Sequence, residues 1–274
     1  MCIVGTELTG THFKTIIQMP GKVLISSLLG LVLLPLGALL IGKVLATSSA
    51  MAVGLVLIAA CPGGALSNYY CYLLRSNVAL SVVLTGLSSL HAFLTLPWIL
   101  GLALPHLQAT ENLQLPFGLM VERLALLTLV PILSGMLLQH QAPQMITRYA
   151  PQLRAFSLLL LLALLAAILL PQRGNLSILI GDAIVLGTAF TVFAMLAGWG
   201  VSHLLKMAPG EKMVLPFEYA IHNLGIAAII SATCFGRPEF LTFAALFVVL
   251  QFGLITLGLL LYRVFRAKDN LSQS

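Results

Sequence analysis

Ala60-Cys61-Pro62-Gly63-Gly64-Ala65-Leu66-Ser67-Asn68-Tyr69 sits near the middle of an apolar run, Ser48 to Arg75, that is otherwise long enough to cross a bilayer. Proline removes a backbone donor and paired glycines favour non-helical dihedrals, so the helix is predicted to break at Cys61, Pro62, Gly63 and Gly64. In hydrocarbon the freed amides and carbonyls need partners. Irregular backbone at that depth survives only where protein buries it or a polar cavity borders it, so the break itself is a candidate site.

Composition sets the surroundings of this break. The chain of 274 residues is 59% hydrophobic and 8% charged, with a mean hydropathy of +1.05. Soluble domains carry about 25% charged residues, so most of this chain belongs in a lipid bilayer. The net charge of +6 is dispersed over short loops. That dispersal argues for membrane orientation and against a nucleic-acid partner. Cys2, Cys61, Cys71 and Cys234 lie in or beside apolar segments without metal-ligand spacing, and read as small hydrophobes.

Apolar windows long enough to span the hydrocarbon run from Pro20 to Lys43, Ser48 to Arg75, Asn77 to Leu104, Leu115 to Leu138, Leu153 to Leu170, Leu176 to Leu204, Lys212 to Phe235 and Phe240 to Tyr262. The predicted fold class is therefore an all-α polytopic membrane protein of about eight spans. With alternating loops, one side receives Lys14, Lys22, Arg75, Arg148, Arg154, Lys206, Lys212, Arg263, Arg266 and Lys268, and the other only Lys43, Arg173 and Arg237. The positive-inside rule makes the richer side cytoplasmic, with both chain ends inside a cell membrane, inner or plasma. Arg123 beside Glu122 falls within the fourth span and reads as a pair facing a neighbouring helix or snorkelling to an interface.

Orientation then relates two segments. The second span runs inward and the seventh outward, and the seventh carries Glu218, His222 and Asn223 near its centre. The pair reads as two discontinuous helices crossing at the midplane in an inverted repeat, the second broken near 220–225. Two half-helix N-termini, near Ala65 and Leu224, then converge and favour an anion. Three spans precede Leu115 and five follow, so a complete inverted pair of five would need two further helices ahead of Pro20.

A carboxylate at the centre of a spanning helix costs about 2.5–3.5 kcal/mol, so Glu218 should have a partner. The candidate oxygens are Ser67 and Asn68 just past the break, with Ser81 and Thr85 one turn apart on the next span. Hydroxyl, amide and carboxylate oxygens suit a hard cation, sodium before any transition metal. The competing reading has each hydroxyl bonded to a nearby carbonyl, as is common in membrane helices. Catalysis would need Cys61 or Ser67 as nucleophile with His222 as base, but neither Gly-x-Ser-x-Gly nor His-Glu-x-x-His occurs, so no enzyme is expected. His91 reads as a packing histidine, Asp182 as interfacial, and the leucine run after Phe156 as lipid-facing.

The order Cys61 to Asn68, then Asn77 to Thr85, then Glu218 to Asn223, resembles the bile acid:sodium symporter family over essentially the whole chain. That resemblance implies a core domain holding the crossed broken helices and a panel domain that moves against it. It implies a first sodium site at Ser67, Asn68, Ser81, Thr85 and Glu218. A second site would fall on Gly30, Glu218, Tyr219, Ile221 and His222, but here Gly30, five residues before Pro35, and His222 stand where the pattern has glutamines. Substrate would lie against Ala65, Leu66, Ser67, His222, Asn223 and Leu224. Residues Gly5 to Thr9 resemble the end of the family's second helix, so 1–19 reads as the end of a truncated helix and a cytoplasmic loop. Residues 20–104 and 176–265 would then form the core, 115–170 the panel helices, and 266–274 a cytoplasmic tail.

The function expected from these residues is sodium-coupled symport of an organic anion, bile-acid-like or a small monocarboxylate, by alternating access. The partners are sodium, the anion and the bilayer, with no cofactor beyond the coupling ion. The alternatives are a proton-coupled or single-sodium variant using His222, and a non-transporting anion-binding membrane protein. The oligomeric state is left open.

Overall fold

The computed structural model describes residues 2–8, 17–107, 116–174, 176–236 and 239–272, and the described residues are helical nearly throughout. Helix α1 is Cys2–Glu7, α2 Pro20–Leu45, α3 Ser49–Ala60, α4 Leu66–Leu73 and α5 Val78–Ala103. Then follow α6 Phe117–Leu124, α7 Val130–Gln141, α8 Pro143–Leu169 and α9 Leu176–Leu204. The chain ends with α10 Val214–Ala220, α11 Leu224–Ile230 and α12 Glu239–Ser272. Among the described residues six helical stretches are long and apolar enough to cross a membrane, while α3 with α4 and α10 with α11 form the two broken passages.

Most boundaries fall within a few residues of the apolar windows. Two do not. Helix α8 starts at Pro143, not Leu153, so Arg148 and Arg154 lie on its first turns instead of in a loop. Its polar opening carries no apolar run, which is why the window misses it, and Pro143 at its first position suits a helix start. Helix α12 continues through Ser272, which makes helix of most of the expected tail. The fourth span is one passage, but a π turn at Ala125–Leu129 separates α6 from α7 just before Pro131, whose missing N–H forbids the ordinary ladder there. Lys14, Leu115 and Arg237 lie outside the described residues.

Burial divides the helices by role. Every residue of α3 from Met51 to Ala60 is buried, and its sequence is apolar on all faces, as befits a helix enclosed by others. By contrast α8 exposes Phe156, Leu158, Leu159, Leu160 and Leu162, so the leucine run faces outward. Small residues set the closest approaches. A Cβ on Gly54 would lie 2.5 Å from the Phe240 carbonyl, so α3 and α12 touch almost backbone to backbone. Gly5 and Gly135 do the same for α1 and α7, where added Cβ atoms would lie 2.2 Å from the Ile132 carbonyl and 2.1 Å from the Cys2 carbonyl. Stacked and tilted rings of Phe190, Phe243 and Phe247 fill the seam of α9 and α12.

One end of the bundle gathers basic loops. The Asn77 amide donates to the Gly210 carbonyl at 2.9 Å, and the Ser76 hydroxyl to the same oxygen at 2.7 Å. The Lys22 ammonium donates to the Lys206 carbonyl at 3.1 Å. Helices α4 and α9 both stop there on left-handed residues, Arg75 at φ 55° and Lys206 at φ 49°. In each, an amide one residue further on reaches back to close the last turn: Ser76 to the Cys71 carbonyl, and Met207 to that of Ser202. At the opposite end the Thr47 hydroxyl donates to Asp182, which is half-buried. The hydrogen bonds at the basic end join the loops at Lys22, Arg75 and Lys206, which the charge count put on one side.

Replacing Gly54 with alanine should lower the thermal unfolding midpoint in detergent, by about 1–3 kcal/mol of stability as backbones separate. Gly21→Ala, where nothing lies within 4 Å of the new methyl, should leave the midpoint unchanged or raise it.

Candidate functional site at the helix crossing

Backbone pairing builds the site. Gly63 and His222 form an antiparallel bridge between the two breaks. The Gly64 amide donates to the Ile221 carbonyl at 3.0 Å, and the Asn223 amide to the Pro62 carbonyl at 3.0 Å. The amides and carbonyls released by each break therefore satisfy those released by the other, which is what burial in hydrocarbon demands. The Gly63 amide is used as well, donating to Ser88 Oγ at 3.2 Å. Antiparallel pairing also confirms that the two passages run in opposite senses.

Both glycines of the first break are required by what lies against them. A Cβ on Gly63 would fall 2.1 Å from Glu218 Oε1, and one on Gly64 would fall 3.0 Å from the His222 carbonyl. The carboxylate thus packs directly on the broken backbone. Glu218 is 7% exposed, on α10 one turn ahead of the second break.

Four of the five expected first-site residues meet here. The Ser67 hydroxyl is 2.7 Å from Glu218 Oε2 and 2.9 Å from the Gly64 carbonyl. The Thr85 hydroxyl is 2.9 Å from each carboxylate oxygen and 3.5 Å from Asn68 Oδ1. Ser67 and Thr85 oxygens are themselves 3.4 Å apart. The fifth, Ser81, lies one turn before Thr85 on α5, is fully buried, and has no hydrogen-bond partner for its hydroxyl among the described residues.

Counting hydrogens gives the cluster its chemistry. Ser67 and Thr85 each carry one hydroxyl hydrogen, and within their reach lie both Glu218 oxygens, the Gly64 carbonyl and Asn68 Oδ1. The Gly64 carbonyl also takes the Ser67 amide at 3.0 Å, so the hydroxyl hydrogens are left chiefly to the two carboxylate oxygens. A carboxylate, two hydroxyls and an amide oxygen drawn together from three passages are the oxygen types that a small hard cation takes.

The residues expected at a second site are arranged differently. A Cβ on Gly30 would lie 2.8 Å from Tyr219 Cε1, so the Tyr219 ring occupies the space beside Gly30, and its hydroxyl donates to the Ser26 carbonyl. The Ile221 carbonyl is engaged by Gly64. His222 Nδ1 lies 3.1 Å from the Ala220 carbonyl, and its ring centroid is 5.8 Å from that of Phe190, while buried Nε2 has no partner among the described residues. His91 does pack as expected, with Nε2 2.8 Å from the Ser27 hydroxyl. Both histidines border a cavity of about 50 Å³ between α2, α5 and the crossing, roomy enough for water.

Of the residues expected to face substrate, Ala65 is exposed and Leu66 and Asn223 half-buried, whereas Ser67, His222 and Leu224 are buried. Asn223 Oδ1 accepts from the Ile226 amide at 3.3 Å, so this side chain caps α11. Sequence reasoning missed one polar partner. Glu7, at the end of α1, accepts a hydrogen bond from Asn68 Nδ2 at 3.1 Å. Its only signal was a carboxylate inside an otherwise uncharged apolar helix.

The family described as the sodium bile acid symporter family matches residues 1–178. The chain belongs to it. It is 28% identical over 236 residues, 86% of its length, to the probable sodium/metabolite cotransporter BASS1, chloroplastic, of Oryza sativa subsp. japonica, covering 57% of that protein. It is 26% identical over 235 residues, 85% of its length, to the uncharacterized sodium-dependent transporter YocS of Bacillus subtilis, covering 71%. To human sodium/bile acid cotransporter 4 it is 26% identical over 271 residues, 96% of its length and 61% of that protein's. The chain thus spans little more than half the length of the chloroplastic relative, and it is a multi-pass membrane protein of this family.

Removing one hydroxyl from the cluster should leave Glu218 short of a donor. In sodium-free detergent, Thr85→Val and Ser67→Ala should each destabilise the fold by about 1.5–3 kcal/mol, read as a lower unfolding midpoint. Glu218→Gln, which removes the charge, should restore part of that loss in the Thr85→Val background.

Proposed function

We propose that the chain is a sodium-coupled carrier of an organic anion, with sodium held by Ser67, Asn68, Ser81, Thr85 and Glu218. The observation that carries this reading is the convergence of the Glu218 carboxylate, the Ser67 and Thr85 hydroxyls and Asn68 Oδ1, packed on the paired breaks. Sodium neutralises Glu218 and braces the crossing, so that the α4 and α11 N-termini, which begin beside the bridge, offer positive ends to a carboxylate or sulfonate. Ala65, Leu66, Asn223 and Leu224 border that position, with Ser67 and His222 behind them. Cation and anion then raise each other's affinity by the same factor. The printed names of the rice and human relatives, cotransporters of sodium with metabolite or bile acid, agree with this class of function.

Helices α2 to α5 with α9 to α12 act as the core, and α6 to α8 with α1 as the panel against which it rocks. The face bearing Lys22, Arg75, Lys206 and Lys212 is cytoplasmic. The membrane is a cell membrane.

A single sodium is favoured over two. Tyr219 fills the space beside Gly30, and Ile221 spends its carbonyl on the bridge, so few oxygens remain for a second ion. His222 stands in that region and offers one unpartnered buried nitrogen.

Counterflow in proteoliposomes tests transport: labelled anion should exchange only when sodium is present, and Glu218→Gln should abolish exchange. A chain that binds anion without exchanging it would instead be a membrane binding protein. Uptake against sodium at several pH values should give a Hill coefficient of about 1 throughout. The triple change Gly30→Gln, Tyr219→Ala and His222→Gln, which clears the ring and adds two amides, should raise it toward 2. A coefficient near two in the unaltered chain would overturn the single-ion reading.

A further inference from the structure

The carboxylate of Glu7 reaches the cation cluster from outside the helices that build it. Three groups of observations converge on it. First, Glu7 accepts from Asn68 Nδ2 at 3.1 Å, while Asn68 Oδ1 lies 3.5 Å from the Thr85 hydroxyl. An amide whose nitrogen is held by a carboxylate has its oxygen turned the opposite way, here toward Thr85 and Glu218. Second, the next residue, Leu8, is seated on Gly86, where an added Cβ would meet Leu8 Cδ1 at 3.0 Å. The missing side chain at Gly86, directly after Thr85, gives α1 the room to approach α4 and α5. Third, α1 is fixed to α7 by the Gly5 and Gly135 contact, so it packs chiefly on a helix that contributes nothing to the cluster.

We infer that Glu7 is a positioning residue for the cation site: it holds the Asn68 amide with Oδ1 facing the ion, and so ties ion affinity to the seating of the α1–α7 pair on α4 and α5. This rests on the cation site proposed above. Charge-assisted hydrogen bonds are among the stronger ones available to a side chain, and this one sets which end of a pseudo-symmetric amide faces the cation. When α1 lifts away, Asn68 is free to turn its NH2 group toward the cluster, and a donor there opposes a cation. Sodium binding, by linkage, strengthens the seating of α1 by the factor by which seating strengthens sodium binding.

The test is sodium binding by calorimetry on the full chain purified in detergent, with variants at Glu7 and Asn68. Glu7→Met keeps the bulk and removes the acceptor, and Glu7→Ala removes both, so loss of either variant to misfolding leaves the other. Each should weaken sodium binding about tenfold, whereas Glu7→Gln, which retains an acceptor oxygen, should stay within about threefold of the unaltered chain. In an Asn68→Ala background Glu7→Met should weaken binding no further. Saturating sodium should also slow amide hydrogen exchange in α1 of the unaltered chain and not in the Glu7→Met chain.

Unchanged sodium affinity in both Glu7→Met and Glu7→Ala overturns the inference, as does a full further loss in the Asn68→Ala background, which would make Glu7 act on the ion directly. If the unaltered chain takes up no sodium, the cation site itself falls, and the variants are compared on nothing.

Discussion

A pair of largely buried backbone segments without helical partners is the constraint on which this structure depends. Pro62 offers no amide and the residues around it cannot continue the ladder. Each break could be tolerated only if something else satisfied its groups, and the nearest supply of unpaired amides and carbonyls is the other break. The Gly63–His222 bridge, with the Gly64–Ile221 and Asn223–Pro62 hydrogen bonds, is that mutual satisfaction. Its geometry is antiparallel, so it exists only between passages of opposite sense. The topology of the whole bundle follows from the need to bring two such passages together.

The same pairing explains where the carboxylate sits. Glycine at 63 is needed for the break, and its lack of a side chain leaves the space into which Glu218 Oε1 projects. Two hydroxyls from different passages, Ser67 and Thr85, then converge on one carboxylate. Such a group would be costly alone in hydrocarbon, and hydroxyl donors reduce that cost without neutralising the charge. This convergence of carboxylate, hydroxyl and amide oxygens is the physical ground for proposing an ion there. An ion held there would touch residues of both broken passages and so would couple its binding to the crossing.

Much of this was legible in the sequence, for reasons that can be named. Pro62, Gly63 and Gly64 inside a long apolar run admit few interpretations, and the antiparallel sense of the partner follows from the basic loops around Arg75 and Lys212. Helical periodicity puts Ser81 and Thr85 on one face, and burial of Glu218 follows from its place in an apolar segment. What hydropathy could not register was polar helix: the opening turns of α8 from Pro143 contain arginine, threonine and glutamine, and nothing apolar marks their start. The π turn before Pro131 is a local adjustment to a missing amide that a window of apolar residues averages away. Nor could spacing reveal that the Tyr219 ring lies over Gly30, because residues 189 positions apart meet only through the fold.

Gly30 and Tyr219 show how a membrane site can be closed as much by packing as by loss of ligands. Removing an amide side chain from α2 would by itself leave a hole beside the carboxylate, and a polar hole at that depth fills with water. An aromatic ring projecting from the residue after Glu218 fills it instead, and the phenol finds the Ser26 carbonyl for its hydroxyl. The two residues are therefore best regarded as a unit, since the ring would not fit beside any larger residue at 30. The cavity that persists is bordered by Gly30, Glu218 and Tyr219 as well as by His91 and His222, whose two unpartnered imidazole nitrogens give it a polar lining. The region opposite the first cluster therefore presents an aromatic ring beside a small pocket that two histidines border. Glu218 is thus held toward Ser67 and Thr85 by their hydroxyls on one side and borders this small cavity on the other.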